Sequence, residues 1–198
     1  MIFSAFASEL FGQTKDDRPS LNITRTRLKA AEALDYCRSY GLNTSICILV
    51  DMSLHSGVNR MVVWDFSKDT ILHSCLVSHG CCTTGGIWQQ DQTKTNPRFS
   101  NKEGSHCSSL GKYKIGKRGH SSWGVRIKYL LYGLEASNIN ALAREIYFHS
   151  WSNVPDQEVY PSGTPEGWGC PAVSPRNLTK IDGILRWRIT PVLLWIYV

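Results

Sequence analysis

The sequence predicts an α+β fold that is rich in strand, with one helix leading and another near the end. Three observations carry this. Residues 24–40 have a helical apolar repeat, short apolar stretches with turn signals follow them, and Ser174-Pro175 marks a second helix start before an apolar tail. The chain has 198 residues, 42% of them hydrophobic and 19% charged, as one globular domain would. Such a balance excludes a disordered chain, a collagen-like repeat and a disulfide-dense miniprotein. The longest apolar run, residues 191–198, is too short to cross a bilayer.

Each element has its own signal. Leu28, Ala31, Leu34 and Cys37 recur at three-residue steps, and Gly41 stands where a helix C-cap belongs. Residues 45–50, 60–66 and 70–78 read as strands, the last two as an antiparallel hairpin around Lys68-Asp69. Residues 80–104 read as loop, 108–115 and 124–132 as extended, and 138–143 as a short helical turn. Residues 144–149 read as a strand ending in His149, followed by a loop over 152–169. Ser174 as N-cap and Pro175 at the first helical position start a helix to about Arg186. Residues 191–198 return as a final strand.

The domain plan is a lead-in over residues 1–22 and a single domain over 23–198. The opening Met1-Ile-Phe-Ser-Ala-Phe-Ala-Ser8 lacks the positive segment of a complete signal peptide, yet Ala5-Phe6-Ala7 has the form of a cleavage site. A residual export signal and an ordinary apolar segment both fit it. Net charge is +6, but the basic residues are dispersed, without the run of a nucleic-acid tail. Nucleic acid is therefore not an expected partner.

Seven cysteines are present: Cys37, Cys47, Cys75, Cys81, Cys82, Cys107 and Cys170. An odd number leaves at least one unpaired within the chain, and no pair has the doubled C-x-x-C spacing of a structural zinc site. Three histidine–cysteine arrangements compete for a catalytic role. His149 and Cys170 are separated by 21 residues, and Gly169 before Cys170 lets backbone N–H groups approach a reacting carbonyl. A neutral histidine near a thiol takes its proton and stabilises the thiolate. Ser78-His79-Gly80-Cys81-Cys82 needs a sharp turn before neighbouring side chains meet, and reads as a structural loop. Cys107 with His149 has the order of a Cys-first peptidase, which needs a helix at Cys107; Gly111 and the alternation after it argue for a strand. Trp64, Trp88, Trp123 and Trp151 read as core or cleft walls. Asp51 and Asp65 show no pairing that suggests a carboxylate dyad.

The segment Gly169-Cys-Pro-Ala-Val-Ser174, with Pro175 opening a helix, resembles the nucleophile motif of the murein L,D-transpeptidase catalytic domain family (YkuD-like). The resemblance extends from about Ala30 to Val198. It includes Leu49–Ser53, Ser56, Asn59-Arg60 and Val77–Gly80, then Phe99–Asn101, Gly104-Ser105 and Ser108–Tyr113. Gly133-Leu134, Asn140, Ala143-Arg144 and Ile146–His149 follow in the family's order.

The resemblance implies a mixed β-sheet or sandwich core and a cysteine acyltransferase acting on peptidoglycan stem tetrapeptides. Cys170 matches the nucleophile, His149 the general base, and Gly169 with Cys170 the backbone oxyanion hole. Ser150 stands where glycine is commoner, and its carbonyl or hydroxyl is expected to orient His149. Trp168, Trp151, Tyr160 and His79 are expected to contact substrate; Trp168 stands where a small polar residue is commoner. No metal and no organic cofactor are implied, and a monomer is expected. Transfer to a stem amine gives a 3→3 cross-link, and transfer to water gives an L,D-carboxypeptidase. A wall-binding domain that has lost catalysis is a further reading. Carbapenems are expected to form a thioester with Cys170. The expected compartment is the periplasm or cell envelope, with cytoplasmic wall recycling as the alternative. In an exported protein Cys75, Cys81, Cys82 and Cys107 form the expected disulfide pool.

Overall fold

A computed structural model describes residues 18–82 and 96–198. The candidate cleavage site at residues 5–7, Trp88 and part of the loop over 80–104 lie outside the described residues.

Helix α1 is Ile23–Tyr40. The Asn22 side chain accepts from the Arg25 N–H at its start, and Gly41, at φ 66°, closes its end by donating to the Cys37 carbonyl. Among the described residues eight strands follow: β1 Ile46–Asp51, β2 Met61–Asp65, β3 Thr70–Cys75, β4 Gly111–His120, β5 Ile127–Gly133, β6 Tyr147–Ser150, β7 Ala172–Val173 and β8 Leu193–Tyr197. Helix α2, Pro175–Leu185, lies between β7 and β8. Ser174 caps it by accepting from the Asn177 N–H, and Pro175 opens it as the sequence predicts.

The strands form one mixed sheet in the order β3-β2-β1-β8-β4-β5-β6-β7. Pairings are antiparallel except β1 with β8 and β6 with β7. The sheet nearly closes on itself. Beyond β3 the chain leaves β2 and reaches β7, where Ser78 N–H donates to the Ala172 carbonyl at 2.8 Å and Ser78 Oγ accepts from Ala172 N–H at 3.3 Å. This departure ends β3 at Cys75 rather than residue 78.

All six β1 residues are buried because both faces of the sheet are covered. Ile46, Ile48 and Val50 share one cluster with Leu178, Ile181 and Leu185 of α2. Cys47 and Leu49 share another with Ala30, Ala33 and Cys37 of α1. The two-residue period of the strand thus divides its side chains between two layers.

Other boundaries also differ from the sequence reading: β4 runs from Gly111 to His120 rather than over 108–115, and β5 begins at Ile127 rather than 124. Residues 138–143 make the expected short helical turn, with Ala141 N–H donating to the Asn138 carbonyl and Arg144 N–H to that of Asn140. Strand β6 begins at Tyr147, not Arg144. Glu145 adopts φ 56°, and the Ile146 N–H bonds back to Ala141, so the chain enters the sheet only afterwards. No described helix is long and apolar enough to cross a membrane.

Candidate active site

Parallel pairing of β6 with β7 sets His149 opposite Ala172 and Ser150 opposite Val173. Cys170 lies two residues before Ala172, on the side of the register where Tyr147 lies. Tyr147 N–H donates to Cys170 Sγ at 3.3 Å, and the thiol donates to the Glu145 carbonyl at 3.6 Å. The left-handed turn at Glu145 lets one short segment offer the sulfur both a donor and an acceptor. Cys170 and His149 line the same cavity, about 420 Å³ in volume, with Trp151, Trp168, Tyr147 and Lys128 among its other walls.

The imidazole is oriented from behind. His149 Nδ1 lies 3.0 Å from the Ser150 carbonyl. A carbonyl only accepts, so Nδ1 carries the proton and Nε2 holds the free lone pair. The Ser150 hydroxyl serves elsewhere. It accepts from the Val125 N–H at 2.9 Å, anchoring the loop before β5.

Burial sets the resting protonation. It pushes the Cys170 thiol up to about 11, against the pull of the Tyr147 N–H and the positive charges of Arg144 and Lys128. Burial also lowers His149 below its ordinary 6.5; the Ser150 carbonyl opposes this and Lys128 reinforces it. At neutral pH the pair therefore rests as thiol and neutral imidazole.

Gly169 is held at φ 102°, and a Cβ there would lie 2.5 Å from the Cys107 carbonyl oxygen. Only glycine meets both conditions without displacing backbone. The segment around Cys107 buttresses the nucleophile turn: Ser108 Oγ donates to the Gly169 carbonyl and accepts from the Gly80 N–H, both at 3.0 Å. Arg144 fastens that buttress. Its guanidinium donates to Ser100 O, Ser109 Oγ, Ser105 Oγ and Cys107 O at 2.7–3.2 Å. Cys107 is joined to Cys82 in a disulfide. It is therefore not a free nucleophile, and Gly111 does begin a strand.

Trp151 and Trp168 line the cavity; Trp168, half-exposed, also stacks on His106. Two expected contacts lie elsewhere. His79 is fully buried, with Nδ1 2.8 Å from Arg60 and Nε2 3.5 Å from Glu166, both buried too. Desolvation of such a chain is tolerable only with close mutual partners, so His79 ties the segment after β3 to the loop before Gly167 rather than touching substrate. Tyr160 does not line the cavity and packs edge-on to His55. Of the tryptophans read as core or walls, Trp64 is core and Trp123 lines the cavity. Sequence reasoning missed Lys128, Tyr147 and Glu145. Lys128 sits in a strand with no motif, and backbone conformation and cross-strand register bring all three beside Cys170.

The remaining cysteines are thiols. Cys37, Cys47 and Cys75 are buried and free, and Cys81 is buried. The disulfide Cys82–Cys107 thus comes from the expected pool, and Cys170 is the one free cysteine at the cavity.

The sheet thus carries a glycine–cysteine turn and a strand-end histidine at one cavity. Residues 18–193 match the L,D-transpeptidase catalytic domain family, and the chain belongs to that family. No curated protein matches it. Among solved structures it is similar to the helical cell shape determining protein Pgp2 from Campylobacter jejuni, at 12% identity and a TM-score of 0.48. That match covers 77% of this chain and 47% of the other, so the chain spans about half of Pgp2's length. It is also similar to the L,D-transpeptidase (residues 123–326) from Xylanimonas cellulosilytica DSM 15894, at 12% identity and a TM-score of 0.36, covering 82% of this chain and 68% of that one.

Proposed function

We propose that this domain is a peptidoglycan L,D-transpeptidase that joins stem peptides through 3→3 cross-links by way of a Cys170 thioester. The observation that carries the reading is the convergence of Cys170 and His149 on one cavity, with a backbone donor on the sulfur and a carbonyl fixing the imidazole tautomer.

His149 Nε2 takes the thiol proton as the sulfur attacks the carbonyl of the third stem residue. The Gly169 and Cys170 N–H groups hold the oxyanion, whose negative charge develops only in the transition state. His149 then protonates the departing D-alanine amine, leaving a thioester. A stem amine enters on the same side, gives its proton to His149 and takes the acyl group, restoring the thiol. Trp151 and Trp168 supply apolar walls for the bound stem peptides.

We place the reaction in the periplasm or cell envelope. The Cys82–Cys107 disulfide supports this, since such bonds persist in oxidising compartments. Incubation with defined tetrapeptide muropeptides, read by mass spectrometry, tests the function. Dimers that have lost one D-alanine are expected. Tripeptide alone would replace the transpeptidase with an L,D-carboxypeptidase, and unchanged muropeptides would overturn both.

A further inference from the structure

The cavity holds two positive side chains, and they are used differently. Arg144 commits its guanidinium to four oxygens of the segment that buttresses Gly169. Lys128 lines the same cavity, and among the described residues it makes no ion pair; its ammonium lies 3.8 Å from the centre of the Tyr147 ring. An aromatic face holds an ammonium in place while leaving its N–H donors free for an anion.

The position of that charge relative to the chemistry is fixed by register. Lys128 on β5 is the direct cross-strand partner of His149 on β6. Opposite residues of an antiparallel pair point to one face with Cβ atoms roughly 4.5–5.5 Å apart. Tyr147, under the ammonium, gives its own N–H to Cys170 Sγ. The free cation therefore stands beside the base that serves the departing amine. The cavity's carboxylate, Glu145, is the acceptor for the Tyr147 hydroxyl at 3.5 Å. The wall around Tyr147 is thus polar in a directed way, with a cation toward His149 and an anion at the phenol end.

We propose that Lys128 is a specificity residue that binds the α-carboxylate of the amino acid leaving Cys170's substrate, so that the enzyme selects peptides ending in a free carboxylate one residue beyond the attacked carbonyl. This rests on the acyl-transfer reading above and deepens it. In an α-amino acid the carboxylate is two bonds from the amine. A residue whose nitrogen faces His149 brings its carboxylate toward the neighbouring side chain on the same face, which is Lys128. Glu145 repels a carboxylate seated the other way round.

Two measurements test it, and the first does not need the substrate. Wild type, Lys128→Met and Lys128→Arg are alkylated in parallel with anionic iodoacetate and neutral iodoacetamide, and modification of the Cys170 peptide is followed by mass spectrometry. The ratio of the two rates cancels any change in thiolate fraction. It is expected to fall about fivefold in Lys128→Met, the scale of one partly screened charge contact, and to stay within about twofold of wild type in Lys128→Arg. An unchanged ratio in Lys128→Met overturns the proposal while leaving the transpeptidase reading intact. In the second, acylation of Cys170 is compared for tetrapeptide stems ending in carboxylate and in carboxamide. Wild type is expected to favour the carboxylate, and Lys128→Met to lose that preference through KM. If the preference persists in Lys128→Met, or is lost only when amino acids and their amides compete as acceptors, the leaving-group assignment is overturned. A shifted alkylation ratio with no stem acylation in any variant overturns the functional reading and the leaving-group assignment with it.

Discussion

The two ends of the sheet are built by different means. Around β1, β2 and β8 the strands are regular and apolar, and both faces are covered, with α1 on one and α2 across the core on the other. Around β6 and β7 the strands are four and two residues long, and the structure is held by side-chain bonds to backbone: Ser108 to Gly169, Ser150 to Val125, Arg144 to the segment over 100–107. The first region derives its stability from area removed from water. The second gives up regular pairing to place a sulfur and an imidazole around one cavity. Changes in the first should move stability, and changes in the second should move chemistry.

The strongest test of that division is Gly169→Ala. Its Cβ meets the Cys107 carbonyl and its φ is left-handed, so the nucleophile turn must shift. We expect at least about a hundredfold loss of acyl transfer per folded molecule, the scale of losing one oxyanion donor, beyond the roughly 1–3 kcal/mol of stability that the strained turn costs. Loss of stability alone would erase the comparison. Next is Leu49→Ala, in the layer under α1. Its fully buried side chain predicts destabilisation of about 2–5 kcal/mol in denaturant unfolding, with activity per folded molecule unchanged.

The pH profile sharpens the contrast further. His149 acts as base only when neutral, and its pKa is depressed below 6.5 by burial. The acid limb of kcat/KM is therefore expected below pH 6.5. Lys128→Met, which removes a charge that helps lower the pKa, should move that limb upward. The sign for stability is the same. The unfolded chain binds a proton on His149 more readily, so its contribution is complete above about 6.5 and is lost as pH falls toward the folded-state value. Smallest is Trp168→Ala. This half-exposed ring is expected to raise KM a few-fold with little effect on folding.

The regular region was the more legible in sequence. Three-residue steps and Gly41 marked α1, and Ser174-Pro175 marked α2, because caps and periodicity are local properties. Cys170, Gly169 and His149 were legible through their motif and family resemblance. His79 misled because a histidine beside glycine looks the same whether it faces a cleft or a buried Arg60 and Glu166. Tyr160 misled because loop length does not reveal which wall a side chain joins. Lys128 and the backbone of Glu145 were invisible, since their roles follow from register and a left-handed turn rather than from residue type.

The most direct measurement is intact mass after exposure to a carbapenem, in wild type and Cys170→Ala. Wild type should gain the mass of one β-lactam molecule as a thioester on Cys170, and Cys170→Ala should gain none while keeping its melting temperature. An adduct that survives in Cys170→Ala would contradict the assignment of this cysteine as the nucleophile.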